Sequence, residues 1–192
     1  LSHVDSHARP QDDLFGHVNG RWLADYEFRG DIDGYPEGEL YFPDSPVLSI
    51  HGTFAECVIL ETLVLSIFNH DTAIASAAAR MVSASSGRPL IEMGSRRTHE
   101  EAAVAAARAA YVAGFATSSN LAARQRYGVP SAGTSAHSFT LLHDGETDAF
   151  RAQVTSLGSG TTLLVDTYDV AEAVRAAIEV AGTSLGAVRL DS

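Results

Sequence analysis

From Pro89 to the end of the chain, short apolar runs alternate with stretches of helical pattern. "PLIEMG", a strand-like piece near Val129, "TTLLVD" and "GAVRLDS" read as strands, since they are short, β-branched or aliphatic, and bounded by turn residues. Between them lie "THEEAAVAAARAAYVAGF", "TDAFRAQVTSLG" and "DVAEAVRAAIEVAG", which read as helices. In the first, Thr98 is expected to cap the N-terminus with Glu101 three residues on, and Gly114 to mark its stop. Gly158 is expected to end the second. In the third, Asp169 is the expected cap, and Val170, Ala173, Val174, Ala177 and Ile178 form one apolar stripe. Strands joined through helices by short connections must run parallel, with helices packed outside. Such folds carry their chemistry at the C-terminal ends of the strands.

Those ends are "EMGSRR", "GTSAHS", "VDTYD" and "RLDS", and each is polar after an apolar run. A closed barrel needs about eight strands. The chain offers roughly half of that, so the expected fold is α/β and close to half of a β/α barrel. A long helical segment, about Thr53 to Ala84, comes first, with Asn69-His70-Asp71 read as either a break or a buried polar turn. Before it, Phe28 to Pro46 reads as turns and short extended pieces, and "VLSIHG" as a short strand. The apolar window "FAECVILETLVLSIF" is short and carries Glu56 and Glu61, which reads as a buried helix and not a membrane span.

Composition narrows the partners. The formal net charge is −11, without a run of Lys or Arg, which argues against nucleic acid or an anionic membrane. A single cysteine, Cys57, forms no internal disulfide and fits a reducing cytoplasm. The N-terminus has neither a basic nor an apolar segment of the signal-peptide kind.

Several side chains at the strand ends suit chemistry. Arg96 and Arg97 precede a helix and can grip a carboxylate or phosphate through forked hydrogen bonds, or stand as a solvated pair. His137 lies among small residues, with Gly133, Thr134, Ser135 and Ala136 before it. It can be a general base, a phosphate acceptor or a satisfied core histidine. Asp166, Asp169 and Asp191 can hold ribose hydroxyls or magnesium, with Asp169 also suited to a plain helix cap. His99-Glu100 is not a zinc-peptidase motif, because the position for its second histidine is Ala103. The other histidines show no metal-ligand spacing, so no metal site is expected.

"EGELYFPDSPVLSIHG", "ETLVLSIFN", "EMGSRRTHEEAAVAAARAAYVAGFATSSNLAARQRYGVPSAGTSAHSF", "LLVDTYDV" and "VRLDS" together resemble nicotinate phosphoribosyltransferase of the actinobacterial kind, over residues 28–192. The resemblance implies a partial type II phosphoribosyltransferase fold, with residues 28–86 in an N-terminal α/β domain and 87–192 in the first half of the barrel. It implies a cytoplasmic enzyme of NAD salvage, homodimeric when intact. Nicotinate and phosphoribosyl pyrophosphate would give nicotinate mononucleotide, with ATP and Mg2+ coupled through a phosphohistidine. His137 of "GTSAHS" would be the phosphoacceptor, with Thr134 among the substrate-binding residues. Arg96, with Arg97 beside it, would face nicotinate, and Arg189 and Asp191 would serve the phosphoribosyl site. Ser119 would stand where nicotinamide-using relatives carry an aspartate. A serine can donate to the carboxylate of nicotinate, which an aspartate would repel.

Residues 1–27 depart from that pattern. "RPQDDLFGHVNGRWL" resembles the N-terminal segment of neprilysin-like zinc endopeptidases, which suggests a chimera joined near Glu27–Phe28, with 1–27 poorly ordered and no peptidase activity. The family would also continue past "RLDS" into further strands and a phosphate-binding loop. The alternatives to a working enzyme are therefore an inert truncated fragment, or an interaction module that pairs with an intact homologue.

Overall fold

The computed structural model describes His7 and residues 27–191. The expectations for residues 1–27 therefore fall almost wholly outside the described part. The chain divides into two compact units. One is built from the residues up to Ala84 together with Val112–Gly114, the other from Ser85–Tyr111 and the residues from Phe115 on.

In the first unit, β1 (Asp31–Gly34) pairs antiparallel with β2 (Leu48–His51), with Asp31 opposite His51 and Gly34 opposite Leu48. Gly30 lies so close to this ladder that a Cβ there would sit 1.9 Å from the His51 carbonyl oxygen. Helix α1 (Phe54–Ala84) follows at once. Its start is a reciprocal cap. The Thr53 N–H donates to Glu56 Oε2 at 2.8 Å, and the Glu56 N–H donates back to Thr53 Oγ1 at 3.4 Å. Glu56 also accepts the Arg29 N–H at 3.3 Å, which is why a carboxylate only 6% exposed is tolerated there.

Two expectations fail on α1. The helix runs unbroken through Asn69-His70-Asp71, where His70 and Asp71 pair at 2.9 Å. Nor is it buried: only Glu56 and Ala78 are, while Phe54 is 85% and Leu65 61% exposed. Its apolar residues lie all round the cylinder, and a two-stranded ladder covers only one side. The whole helix is also much longer than the apolar window, and by length and composition it could cross a membrane.

The second unit holds the β–α pattern. Strand β3 (Ile91–Glu92) pairs parallel with β4 (Thr117–Ser118), and Ser118 makes a further parallel bridge to Ser131. Strand β5 (Thr162–Leu164) pairs parallel with β6 (Ala187–Arg189), in the register Leu163 to Val188. Among the described residues the two ladders are not joined by strand pairing, so they do not make one continuous half-barrel sheet. The piece near Val129 contributes only the Ser131 bridge.

Helices connect these strands: α2 (Glu100–Val112), α3 (Leu121–Tyr127), α4 (His137–Leu141), α5 (Glu146–Leu157) and α6 (Val170–Ala181). The caps follow local chemistry. Asp169 accepts the Glu172 N–H at 2.9 Å, as expected for α6. Gly114 (φ +109) and Gly158 (φ +86) take up backbone angles beyond α2 and α5 that suit glycine. The Thr98 cap does not form. The Ala103 N–H reaches the His99 carbonyl, so His99 occupies the cap, and Glu101 pairs with Arg126 instead. Helix α3 was not anticipated, although Asn120 caps its start at Ala123 N–H (2.9 Å) and Gly128 (φ +70) closes it.

Two clusters make the core of this unit. Phe150, Leu163, Val165, Ala173 and Ala177 form one, and Val104, Ala107, Ala123 and Val129 the other. On α6 the fully buried row is Ala173, Ala177 and Ala181, whereas Val170 and Ile178 are 40% and 54% exposed. Small residues at one-turn spacing let the helix approach β5 closely, which displaces the expected stripe by part of a turn. β6 needs similar room. A Cβ on Gly186 would lie 2.0 Å from the Gly160 carbonyl oxygen.

Candidate functional site

Parallel pairing of β5 with β6 sets the ends of both strands side by side. Leu164 stands opposite Arg189, and the Val165 N–H reaches the Arg189 carbonyl at 3.1 Å. Asp166 and Thr167 therefore leave β5 next to where Arg189 and Asp191 leave β6. The Asp191 N–H donates to Asp166 Oδ2 and ties the two ends together. His137, the first residue of α4, comes in from the segment after Ser131.

Its ring is held on both edges. Nδ1 lies 3.2 Å from Thr167 Oγ1, and Nε2 lies 3.8 Å from both Asp166 Oδ1 and Asp191 Oδ2. The ring edge towards the carboxylates is too far for a hydrogen bond but close enough for charge attraction. His137 remains 41% exposed at its side chain, so an incoming group can reach it. A Cβ on Gly133 would meet nothing within 4 Å, so the small residues before His137 do leave open space. Arg189 bridges the rest. One nitrogen contacts Asp191 Oδ1 at 2.7 Å and the other donates to Thr134 Oγ1.

His137, Thr134, Arg189 and Asp191 thus come together at one strand end. Asp166 joins them, and Thr167, which sequence reasoning did not single out, completes the set. Asp169 only caps α6. Among the described residues no group of three His, Cys, Asp or Glu side chains converges as a metal-ligand set; Asp166 and Asp191 both face the imidazole, and the Asp191 carboxylate pairs with Arg189.

Arg96, Arg97 and Ser119 belong to a second group at the β3–β4 end. A 3-10 turn at Gly94–Arg96 presents both arginines to solvent, and its closing bond runs from the Arg97 N–H to the Gly94 carbonyl at 2.8 Å. Ser119 is exposed one residue beyond β4, with its N–H on the Glu92 carbonyl at 2.9 Å. A chain of bonds beneath holds this end. The Glu92 carboxylate accepts from Ser118 Oγ at 2.7 Å and from the Gly94 N–H. Ser118 Oγ accepts from the Asn120 N–H at 2.9 Å, and Asn120 Nδ2 donates to Ser95 Oγ at 3.1 Å. Glu92, Ser118 and Asn120 were missed in the sequence because their role is to hold backbone, which leaves no motif of its own.

One carboxyl near the first group is perturbed. Burial pushes Glu146 up from the ordinary glutamate value, and the negative charges of Asp166 and Asp169 push it further.

Comparison with known proteins places this geometry. No protein-family profile matches the chain. Nicotinate phosphoribosyltransferase pncB1 of Mycobacterium tuberculosis is 73% identical over 180 residues, covering 90% of this chain and 40% of that protein. That coverage is more than residues 28–192 supply, so the similarity runs into the N-terminal segment and does not stop at the expected join near Glu27–Phe28. The crystal structure of human nicotinic acid phosphoribosyltransferase superposes with a TM-score of 0.75 at 27% identity, over 95% of this chain and 47% of that one. Nicotinate-nucleotide pyrophosphorylase from Pyrococcus furiosus gives 0.79 at 30% identity, over 86% and 43%. The fold is thus the partial α/β phosphoribosyltransferase fold expected. The chain is a homologue of part of a nicotinate phosphoribosyltransferase and spans 40% of the length of that curated relative.

Proposed function

We propose that this chain carries the phosphoacceptor half of a nicotinate phosphoribosyltransferase site, and that the whole protein makes nicotinate mononucleotide from nicotinate and phosphoribosyl pyrophosphate with ATP. The observation that carries this is His137, half-buried with its side chain still accessible, and flanked by Thr167, Asp166 and Asp191 at paired strand ends. The relatives named above support the substrates.

The geometry gives each group a task. Two carboxylates at Nε2 hold the ring proton there and offset the positive charge of a phosphorylated imidazole. Nδ1 is then the nitrogen free to accept a phosphoryl group. The Thr167 hydroxyl, 3.2 Å away, can donate to a phosphoryl oxygen. A phosphohistidine adds about two negative charges, which compete with Asp191 for Arg189. Arg189 and Thr134 would then turn to the phosphates of phosphoribosyl pyrophosphate. Loss of pyrophosphate leaves an oxocarbenium-like ribose, which Asp166 and Asp191 stabilise by charge. Arg96 and Arg97 supply forked donors for the nicotinate carboxylate, and Ser119 favours the acid over the amide. Magnesium enters with ATP and phosphoribosyl pyrophosphate. A homodimer in the cytoplasm fits the resemblance and the unpaired Cys57.

The test is to place residues 28–192 in the framework of the Mycobacterium tuberculosis relative, in place of the matching segment. The hybrid should form nicotinate mononucleotide from nicotinate, with ATP raising turnover, and should discriminate against nicotinamide. A folded hybrid that forms none would refute the reading. A second reading, a module that pairs with an intact homologue, is favoured by the exposed apolar residues of α1. Co-purification of the chain with the full-length relative, lost when Leu63 and Leu65 become Asp, would support it.

A further inference from the structure

One side chain joins the ends of β3 and β4. Glu92 accepts from the Gly94 N–H with Oε1 and from Ser118 Oγ at 2.7 Å with Oε2. Its two oxygens therefore hold two separate segments. The first holds the start of the Gly94–Arg96 turn, which the Arg97 N–H closes on the Gly94 carbonyl. The second holds Ser118, which is only 1% exposed and whose hydroxyl accepts the Asn120 N–H in turn. Strand alternation then puts Ser119 on the opposite face, where it is exposed. Asn120 completes the circuit by donating to Ser95 Oγ and by capping α3 at the Ala123 N–H.

Gly94 of "EMGSRR" bears the mark of this arrangement. Its φ is not positive, so glycine is not required there by backbone angle. It is required by space. A Cβ on Gly94 would lie 2.6 Å from Glu92 Oε1, with Glu92 Cδ at 3.8 Å the next contact. The atoms that exclude a side chain at Gly94 are thus those of the Glu92 carboxylate.

We propose, on the reading that Arg96, Arg97 and Ser119 receive the nicotinate carboxylate, that Glu92 is a positioning residue for that group: its carboxylate clamps the arginine turn to the end of β4, and Gly94 leaves room for the clamp. Donors carried on two segments meet one small anion well only if their spacing is fixed before it arrives. Glu92 does not touch nicotinate. It acts on recognition of the acid and not on the chemistry at His137, which belongs to the group at the β5 and β6 ends.

The experiment uses Glu92→Ala, which removes the clamp, and Gly94→Ala, which keeps the carboxylate but displaces it. In the hybrid enzyme described above, each should raise KM for nicotinate about tenfold and weaken discrimination against nicotinamide. The kcat at saturating nicotinate, KM for phosphoribosyl pyrophosphate and phosphorylation of His137 should stay near parental values. The double variant should be no worse than Glu92→Ala, because both changes break the same contact. Glu92→Gln can still accept from the Gly94 N–H and can donate to Ser118 Oγ, so it should fall between parent and Ala. In the 192-residue chain itself, Gly94→Ala should move the amide shifts of Ser118 and Asn120, and should not move them further when Glu92 is already Ala.

Parental nicotinate KM in Gly94→Ala, additive effects in the double variant, or Ser118 and Asn120 shifts that ignore Gly94→Ala would each overturn the proposal. So would an equal loss in kcat or in phosphorylation of His137, which would mark a general weakening of the fold. If Glu92→Ala does not fold, Gly94→Ala decides alone by its nicotinate KM and its Ser118 and Asn120 shifts. A parent hybrid that forms no product, with those shifts still moving only when Glu92 is present, would refute the enzymatic reading while upholding the clamp.

Discussion

Helices α1 and α6 are both rich in Ala, Val, Leu and Ile, yet they end in opposite situations. On α6 the small residues Ala173 and Ala177 seat on Leu163 and Val165, with Ala181 buried on the same face, while Glu172 and Arg175 pair on the outside. On α1 the apolar residues lie all round, and Phe54, Leu63 and Leu65 meet solvent in this chain. The difference shows that apolar content measures how much surface a helix needs to hide, not whether its own chain hides it. A stripe tells where the cover comes from. A helix apolar all round does not.

Substitutions can test that contrast. The largest effect belongs to Leu163→Ala, which empties a site with no exposure at all and should cost about 2–5 kcal/mol in urea denaturation. Leu63→Ala on α1, where the side chain is 55% exposed, should stay within roughly 0.5 kcal/mol. Equal losses would mean that another surface covers α1 in solution. Next comes Asp169→Ala, which removes the α6 cap and should cost about 1 kcal/mol by the same measurement.

A smaller effect concerns pH. Folding raises the carboxyl of Glu146, so the native state binds a proton there more tightly than the unfolded chain does. Stability from this source is present below the ordinary glutamate range and falls as pH rises through the raised native value. Glu146→Gln should flatten that fall in a series of melts. An unchanged slope would show that the carboxyl is not buried in solution. The smallest change is expected for Glu101→Ala. Its pair with Arg126 is fully exposed, and the hydrogen bond and charge of Arg126 hold the Glu101 carboxyl below the usual range. That contribution fades only as pH falls through the lowered value, so melts near neutrality compared with melts in acid should reveal it.

Much of the second unit was legible because its signals are local. The Asp169 cap, the glycine after α5 and the runs "PLIEMG" and "TTLLVD" are decided within a few residues, and each leads to its element. The polar strand ends likewise led to His137, Thr134, Arg189 and Asp191, which do meet. What stayed hidden depends on distance along the chain. Thr167 matters only because β5 brings it to His137, thirty residues away. Glu92 matters because Ser118 crosses from β4 to reach it. Whether two ladders join into one sheet depends on register between strands that no local pattern encodes. Thr98 misled because two candidate caps stood side by side, and Arg126 recruited the glutamate that a capping box would have used.

The measurement nearest to the central claim is the site of phosphorylation. The hybrid carrying residues 28–192 is incubated with ATP, and the peptide spanning "SAGTSAHSF" is examined by mass spectrometry under conditions that preserve phosphohistidine. A phosphoryl group on His137, absent in His137→Ala together with ATP-stimulated formation of nicotinate mononucleotide, is the predicted result. Phosphorylation at another residue, or ATP-stimulated turnover that survives His137→Ala, would contradict it.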